Sequence, residues 1–183
     1  MLQFIDTRLK WVENNQSEGV FSEKVLLTWV KYRQCHVQDK EAGGLLMGRF
    51  AQDTQSMLVD DLTTPMFFDK RKRRMFYRSK SHNRELKKYW KNTQGYGGLL
   101  GLWHTHPENI PTPSSMDITD LKNQIMASKY VTNRLIYIIV GITHIGVWTG
   151  YKNGKVQFIG HIAVDNKIDH HDYNFNQHIE KRL

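Results

Sequence analysis

The sequence has very little of what builds disulfide scaffolds, thiolate metal sites or membrane spans. Its one cysteine, Cys35, excludes a disulfide within the chain and a zinc site made of thiolates. The longest apolar run, 135–141, is far shorter than the roughly 20 residues that cross a bilayer. The first residues lack the basic head and apolar stretch of a secretory signal. We therefore expect a cytoplasmic protein with no membrane contact.

The overall composition is that of an ordinary globular protein. The chain has 183 residues, of which 39% are hydrophobic and 24% are charged. A chain of this length can bury about two thirds of its unfolded surface, which is enough for one core. We predict a single domain over 1–183, with a core of about 20–165 and a polar C-terminal tail over 166–183.

Acidic residues are almost absent from one stretch, the basic segment 70–91. Eleven lysines and arginines occur there against one acid, Glu85. Such a cluster attracts acidic partners, either proteins or nucleic acids. A solvated helix face beside a charged loop produces the same pattern, and the sequence leaves both interpretations open. Stacking on nucleic acid would need exposed aromatics, but Tyr89 and Trp90 are expected on the apolar side of a helix. His82 is expected on the surface.

The order of hydrophobic patterns predicts a mixed fold. Apolar residues at helical spacing indicate helices over about 22–36, 81–93 and 114–128. Apolar runs and alternation indicate strands over 43–48, 55–63, 97–103, 134–140, 142–151 and 155–163. Gly101, inside the central run, predicts a close approach of two backbones. The pattern indicates an α/β (α+β) sandwich, with one mixed β-sheet flanked by helices.

The segment from His104 to Asp117 carries the strongest chemical signal. His104 and His106 are two residues apart at the end of a strand, so both imidazoles point to one face while Thr105 points away. A loop with three prolines then delivers Asp117 to the first turn of a helix, where it can supply a third ligand. Two histidines and a carboxylate leave one tetrahedral position open, which is typical of catalytic zinc. Such a centre lowers the pKa of water to about 7.

Simpler explanations exist for each part of this segment. Ser114 and Asp117 have the spacing of a helix capping box, in which Ser114 caps an amide three residues on. A His-x-His pair often does no more than satisfy local hydrogen bonds. The cap and the metal ligand are compatible, because one aspartate in a first helical turn can serve both.

These residues together resemble a known family signature. The pattern of His104, His106, Ser114 and Asp117, with Glu41 just before the apolar run at 43–48, is similar to that of the JAMM (MPN-plus, JAB1/Mov34-type) zinc metallopeptidases. The resemblance implies the MPN sandwich and one Zn²⁺ per chain, held by the two histidines and the aspartate. It also implies that Glu41 is the catalytic acid and base and that Ser114 steadies the oxyanion.

Within that family, the chain most resembles the stand-alone bacterial JAB deconjugating peptidases of CBASS-type antiphage operons. This resemblance implies an isopeptidase that cuts after the C-terminal residue of a ubiquitin-like or conjugated protein. Its substrate would be a cyclic-nucleotide synthase joined to other proteins by ubiquitin-activating-like and ubiquitin-conjugating-like enzymes. Two alternatives remain, a metal-free MPN scaffold and a nucleic-acid-associated relative. Zinc content separates the scaffold from the enzyme.

Overall fold

A long mixed sheet forms the centre of the fold. The computed structural model describes residues 1–5, 8–13, 17–51, 54–127 and 133–164. Within those ranges the chain forms eleven strands and three helices. The strands are β1 Leu2–Ile5, β2 Arg8–Glu13, β3 Ser17–Phe21, β4 Gly43–Phe50, β5 Met57–Leu62, β6 Lys70–Lys72, β7 Met75–Tyr77, β8 Gly97–Thr105, β9 Arg134–Val140, β10 His144–Tyr151 and β11 Val156–Ala163. The helices are α1 Glu23–Lys31, α2 His82–Asn92 and α3 Ser115–Ala127.

Strand β8 lies inside this sheet, next to the middle strand β4. The order, for the described residues, is β1-β2-β3-β5-β4-β8-β9-β10-β11, while β6 and β7 form a separate hairpin. β8 pairs antiparallel with β4 and parallel with β9. Parallel neighbours need a crossover connection, and α3 provides it between β8 and β9. An added Cβ on Gly101 would lie 2.1 Å from the carbonyl oxygen of Ile136, so the predicted close approach is confirmed.

Helices cover both faces of the sheet. α1 packs on one face through Val25, Leu26 and Trp29, in a cluster that includes Trp103 of β8. α2 and α3 pack on the other face, where Leu86, Leu121 and Ile125 join a second apolar cluster. Among the described residues, no helix is long and apolar enough to cross a membrane. The predicted α/β (α+β) sandwich with helices flanking one mixed sheet is therefore confirmed.

Several details differ from the prediction. The first helix ends at Lys31 rather than near residue 36, and strands β1 to β3 and the β6–β7 hairpin were not predicted. Trp90 is 53% exposed, so its assignment to the apolar side of α2 was wrong. His82 is 1% exposed, so its assignment to the surface was wrong as well. Residue 128 and the tail 166–183 lie outside the described residues.

Candidate metal centre

The imidazole rings of His104 and His106 converge at the end of β8. His104 lies opposite Gly43 of β4 and Ile139 of β9 in the sheet register. The backbone N–H of His106 donates to the carbonyl of Val140 at 2.9 Å, which continues the pairing with β9 beyond the strand end. The Nε2 atoms of the two imidazoles are 2.8 Å apart. Both side chains are buried, at 6% and 8% exposure.

Asp117 completes a three-residue cluster. One carboxylate oxygen, Oδ1, is 3.2 Å from Nε2 of His104, and the other, Oδ2, is 3.5 Å from Nε2 of His106. The ligand atoms of all three residues lie within 4.8 Å of one another. Ligands about 2.0–2.1 Å from one ion at tetrahedral angles lie roughly 3.3 Å apart. The cluster could therefore hold a metal ion with only small adjustments of its side chains.

The loop between His106 and α3 is tied to the neighbouring turn and to β11. The N–H of Ile142 donates to the carbonyl of Glu108 at 2.7 Å, and the N–H of His144 donates to the carbonyl of Asn109 at 3.0 Å. His161 of β11 donates through Nε2 to the carbonyl of Pro111 at 2.8 Å. These bonds fix the path of the loop, so that the first turn of α3 carries Asp117 back to the end of β8.

Ser114 caps α3 and holds Asp117 at the same time. The N–H of Asp117 donates to Oγ of Ser114 at 3.2 Å. In return, the N–H and the hydroxyl of Ser114 donate to Oδ2 of Asp117, at 2.7 and 2.6 Å. The helix cap and the metal-ligand geometry therefore occur together. The Ser114 hydroxyl proton points at Asp117 in this arrangement.

Glu41 is buried beside the cluster. It is 5% exposed and precedes β4 by two residues. The N–H of Ala42 donates to the Thr105 hydroxyl at 3.0 Å, which places Glu41 next to the histidine-bearing end of β8. Burial raises the pKa of Glu41 from 4.5 to about 7, although the charge of His106 opposes this change. A carboxyl group with this pKa can both accept and release a proton at neutral pH.

The cluster is electrostatically suited to a cation. Burial lowers the pKa of His104, which favours the neutral imidazole that a metal requires. Burial also lowers the pKa of His106, but its hydrogen bond to Asp117 and the surrounding carboxylates outweigh that effect and raise it. Burial works against ionisation of Asp117, but hydrogen bonds from the two histidines hold its pKa far below the ordinary range. Asp117 is therefore an anion at any ordinary pH.

Three residues around the site were not predicted from the sequence. Tyr137 of β9 donates its hydroxyl to Oδ1 of Asp117 at 3.4 Å, and its ring centre lies 5.4 Å from that of His104. Gln34 accepts a hydrogen bond from the Thr105 hydroxyl at 2.9 Å, on the face opposite the histidines, as expected for Thr105. Arg71 donates to the carbonyl of Glu41 at 2.6 Å. A lone polar residue gives no pattern in the sequence that would reveal such a contact.

Some side chains of the basic segment 70–91 are exposed to solvent, and others are hydrogen-bonded to the protein. The helix residues Arg84, Lys87, Lys88 and Lys91 are exposed along α2, as are Lys70, Lys72 and Arg74 in the hairpin. Arg71 and Arg73 instead donate to backbone carbonyls. His82 lies buried between Asp69 and Thr63, at 2.9 and 2.6 Å. Arg71, Arg73 and His82 therefore have structural roles, while most of the basic side chains remain exposed.

Comparison with known proteins identifies similar chains. Residues 23–153 match the family model described as prokaryotic homologs of the JAB domain. A Pseudomonas aeruginosa protein named CD-NTase/cGAS isopeptidase is 35% identical over 130 residues, which cover 70% of this chain and 80% of that protein. An Escherichia coli protein of the same name is 30% identical over 145 residues, which cover 79% and 88%.

A solved structure shares the fold. The solution structure of a Desulfitobacterium hafniense protein aligns with a TM-score of 0.53 and 21% sequence identity, over 75% of this chain and 87% of that one. Similarity at this level of identity supports the architecture alone.

Proposed function

Because this chain belongs to the prokaryotic JAB-domain family, whose model matches residues 23–153, we propose that it is a zinc-dependent isopeptidase. It would hydrolyse the amide bond after the C-terminal residue of a conjugated protein. One observation carries the proposal: His104, His106 and Asp117 converge on one point beside the buried carboxyl group of Glu41.

The donor set suits zinc with an open coordination position. Two imidazole nitrogens and one carboxylate oxygen are the ligands of many catalytic zinc sites, whereas structural sites have four protein ligands. When bound, Zn²⁺ would polarise the substrate carbonyl and lower the pKa of water to about 7. His104, His106 and Asp117 would hold the ion, and Tyr137, through its contact with Asp117, would help orient that ligand.

Glu41 would act first as the general base and then as the general acid. Its carboxylate accepts a proton from the attacking water, and its carboxylic acid then passes that proton to the leaving amine. Burial raises the pKa of Glu41 and so favours uptake of the water proton, while the charge of a bound cation would lower that pKa and favour release. The amine must be protonated to leave, because an amide anion is far too basic to depart.

Ser114 would assist at the developing oxyanion. Its hydroxyl now donates to Asp117, 2.6 Å away. Rotation about χ1 or χ2 redirects that proton toward a substrate oxygen near the cluster, while the backbone N–H of Ser114 keeps its own bond to Asp117. A donor aimed at the oxyanion stabilises the transition state more than the ground state.

The substrate would be a nucleotidyltransferase joined to another protein through its C-terminus. The two relatives described above carry names that specify a CD-NTase. We propose that this chain acts on such a protein after ubiquitin-activating-like and ubiquitin-conjugating-like enzymes have attached it to a target, and so reverses the attachment in antiphage defence.

A scaffold function has less support than catalysis. A scaffold has no need for three convergent metal ligands, nor for a carboxylate buried beside them. Nucleic-acid binding is supported by the exposed stripe of Arg84, Lys87 and Lys91 with the exposed Trp90 nearby. Tyr89, however, donates its hydroxyl to Asp60 at 2.6 Å and is partly buried, so it is poorly placed for stacking.

Cleavage of a defined fusion tests the proposal. A nucleotidyltransferase from an antiphage operon is joined through its C-terminal residue to a reporter protein, and the products are identified by mass spectrometry. We expect one cut at the junction, abolished by a zinc chelator and by Glu41→Gln. Glu85→Gln, which alters a surface carboxylate of α2 that pairs with Lys88, is the matched control and should cleave within a few-fold of wild type. Unimpaired cleavage by Glu41→Gln would overturn the mechanism.

A further inference from the structure

The backbone of Glu41 is held by the β6–β7 hairpin. The N–H of Glu41 donates to the carbonyl of Lys72 at 2.9 Å. The carbonyl of Glu41 accepts a hydrogen bond from Nε of Arg71 at 2.6 Å. Both backbone polar groups of Glu41 are thus satisfied by a hairpin about 30 residues away in sequence.

Arg71 donates hydrogen bonds to two consecutive backbone carbonyl groups. Its Nη2 donates to the carbonyl of Lys40 at 3.1 Å, while Nε holds Glu41. A guanidinium presents its donors in a rigid plane, so two bonds from one side chain fix orientation as well as distance. The arginine therefore restrains the rotation of both peptide groups that flank the Cα of Glu41.

The hairpin is itself anchored at both ends. At its base, the Asp69 carboxylate accepts the N–H groups of Met66 and Ser79, at 2.7 and 2.8 Å, and contacts His82 at 2.9 Å. At its tip, Gln34 donates through Nε2 to the carbonyl of Arg73 at 2.8 Å. Gln34 also accepts the Thr105 hydroxyl proton, so this tip is linked to the strand that bears the histidines.

On the other side, Thr105 fixes the next residue. The N–H of Ala42 donates to the Thr105 hydroxyl at 3.0 Å, and the N–H of Thr105 donates to the carbonyl of Ala42 at 2.8 Å. The backbone around Glu41 is thus hydrogen-bonded to Thr105 of β8 on one side and to the β6–β7 hairpin on the other. Thr105 binds the N–H of the peptide group whose carbonyl Arg71 holds, while the hairpin also binds the peptide group that precedes Glu41.

We propose that Arg71 is a positioning residue that sets the place of the Glu41 carboxyl group relative to the metal cluster. The inference rests on the proposed function, since it assumes that Glu41 transfers protons. Arg71 acts through the backbone of Glu41 and makes no contact with substrate in this scheme. A displacement of about 1 Å in a reacting group can cost about 100-fold in rate.

The test compares four variants in the fusion assay. Arg71→Ala removes both bonds, and Arg71→Lys keeps the charge but cannot reproduce the planar pair of donors. Arg49→Ala makes the same change at the other end of β4, where the guanidinium bonds Asp60 instead. Glu41→Gln reports on the proposed function itself. For each variant, kcat, KM, zinc content and melting temperature are measured, with and without millimolar guanidinium chloride.

We expect Arg71→Ala to lower kcat by about 10- to 100-fold with KM changed by less than about 3-fold. The zinc content of Arg71→Ala should stay at the wild-type level, and added guanidinium should restore part of its kcat. The kcat of Arg71→Lys should lie between the values of wild type and Arg71→Ala. Arg49→Ala should have the kcat of wild type, and added guanidinium should not change it. If Arg71→Ala does not fold, the split between kcat and KM in Arg71→Lys decides the question.

Two results would overturn the inference. One is a wild-type kcat in Arg71→Ala when Glu41→Gln is inactive. The other is a loss of kcat together with loss of zinc and no response to guanidinium, which would mean that Arg71 only maintains the hairpin. Full activity of Glu41→Gln would instead count against the proposed function, so the two failures are distinguishable.

Discussion

Asp117 and Ser114 form a reciprocal pair in which one carboxylate takes two roles. Oδ2 accepts both the N–H and the hydroxyl of Ser114, at 2.7 and 2.6 Å, while Oδ1 faces Nε2 of His104 at 3.2 Å. Oδ2 completes the helix cap and also lies 3.5 Å from Nε2 of His106, so both oxygens border the point where the two histidines converge. The helix cap and the proposed metal ligand, which the sequence left as compatible explanations, are thus parts of one arrangement.

The first prediction concerns Ser114. Ser114→Ala removes the hydroxyl that caps α3 and holds Oδ2 of Asp117. We expect the free energy of unfolding to fall by about 0.5–2 kcal/mol, as for loss of an N-cap. We expect kcat to fall by about 10²- to 10³-fold, as for loss of an oxyanion donor. Denaturant titration and steady-state cleavage measure the two effects. An unchanged kcat would show that Ser114 serves the helix alone.

The second prediction concerns the metal affinity. Asp117→Asn keeps the shape of the side chain but removes the charge and the better ligand oxygen. We expect zinc affinity to fall by more than about 10-fold, as measured by competition with a chromogenic chelator. Asp120→Asn is the matched control, because Asp120 lies one turn further along α3 and bonds Arg78. Equal affinities in the two variants would argue against Asp117 as a ligand.

The third prediction is a pH dependence of stability in the metal-free protein. Burial raises the pKa of Glu41 from 4.5 to about 7 on folding, so the folded state binds this proton more tightly than the unfolded state does. The stability that Glu41 contributes is therefore present below about pH 4.5 and is lost as the pH rises through about 7. At pH 8, metal-free Glu41→Gln should be more stable than metal-free wild type by roughly 1–3 kcal/mol.

Denaturant titrations between pH 5 and pH 8 measure this difference, which should narrow as the pH falls. Glu85→Gln is the control, since Glu85 lies on the surface of α2 and pairs with Lys88. If the difference in free energy of unfolding between Glu41→Gln and wild type stayed constant over this range, the proposed rise in the pKa of Glu41 on folding would be contradicted.

The fourth prediction concerns the buried Asp69–His82 pair. Both side chains are almost fully buried, at 0% and 1% exposure. Asp69→Ala leaves the N–H groups of Met66 and Ser79 and the His82 ring without this partner, so we expect a loss of about 3–5 kcal/mol. Lys24→Ala breaks the exposed pair with Asp61 and should cost less than about 1 kcal/mol. Similar losses in the two variants would contradict a structural role for Asp69.

The convergence of His104, His106 and Asp117 was predictable because these residues are close in sequence. Strand alternation places His104 and His106 on one face, and a short loop of 107–113 leads to Asp117. Glu41 was different, because composition and spacing give no reason to select it. Its assignment depended on the family resemblance, and the structure places it beside the cluster through Ala42 and Thr105.

The supporting contacts were not predictable. Gln34 and Thr105 are 71 residues apart, and Arg71 and Glu41 are 30 apart, so only the folded chain brings them together. His82 was misassigned because its charged neighbours indicated a surface, whereas its ring occupies the buried side of α2. Strand β2 was missed although Leu9 and Trp11 alternate with polar residues.

The most direct test of the account is the return of cleavage when zinc is added to the metal-free protein. The fusion substrate is incubated with protein stripped by a chelator and then titrated with Zn²⁺. We predict no cleavage without metal, a linear rise up to one equivalent per chain, and a plateau beyond it. In the Asp117→Asn variant, much more zinc should be needed for the same rate. Full cleavage by the stripped wild-type protein would contradict the central claim that His104, His106 and Asp117 form a catalytic zinc site.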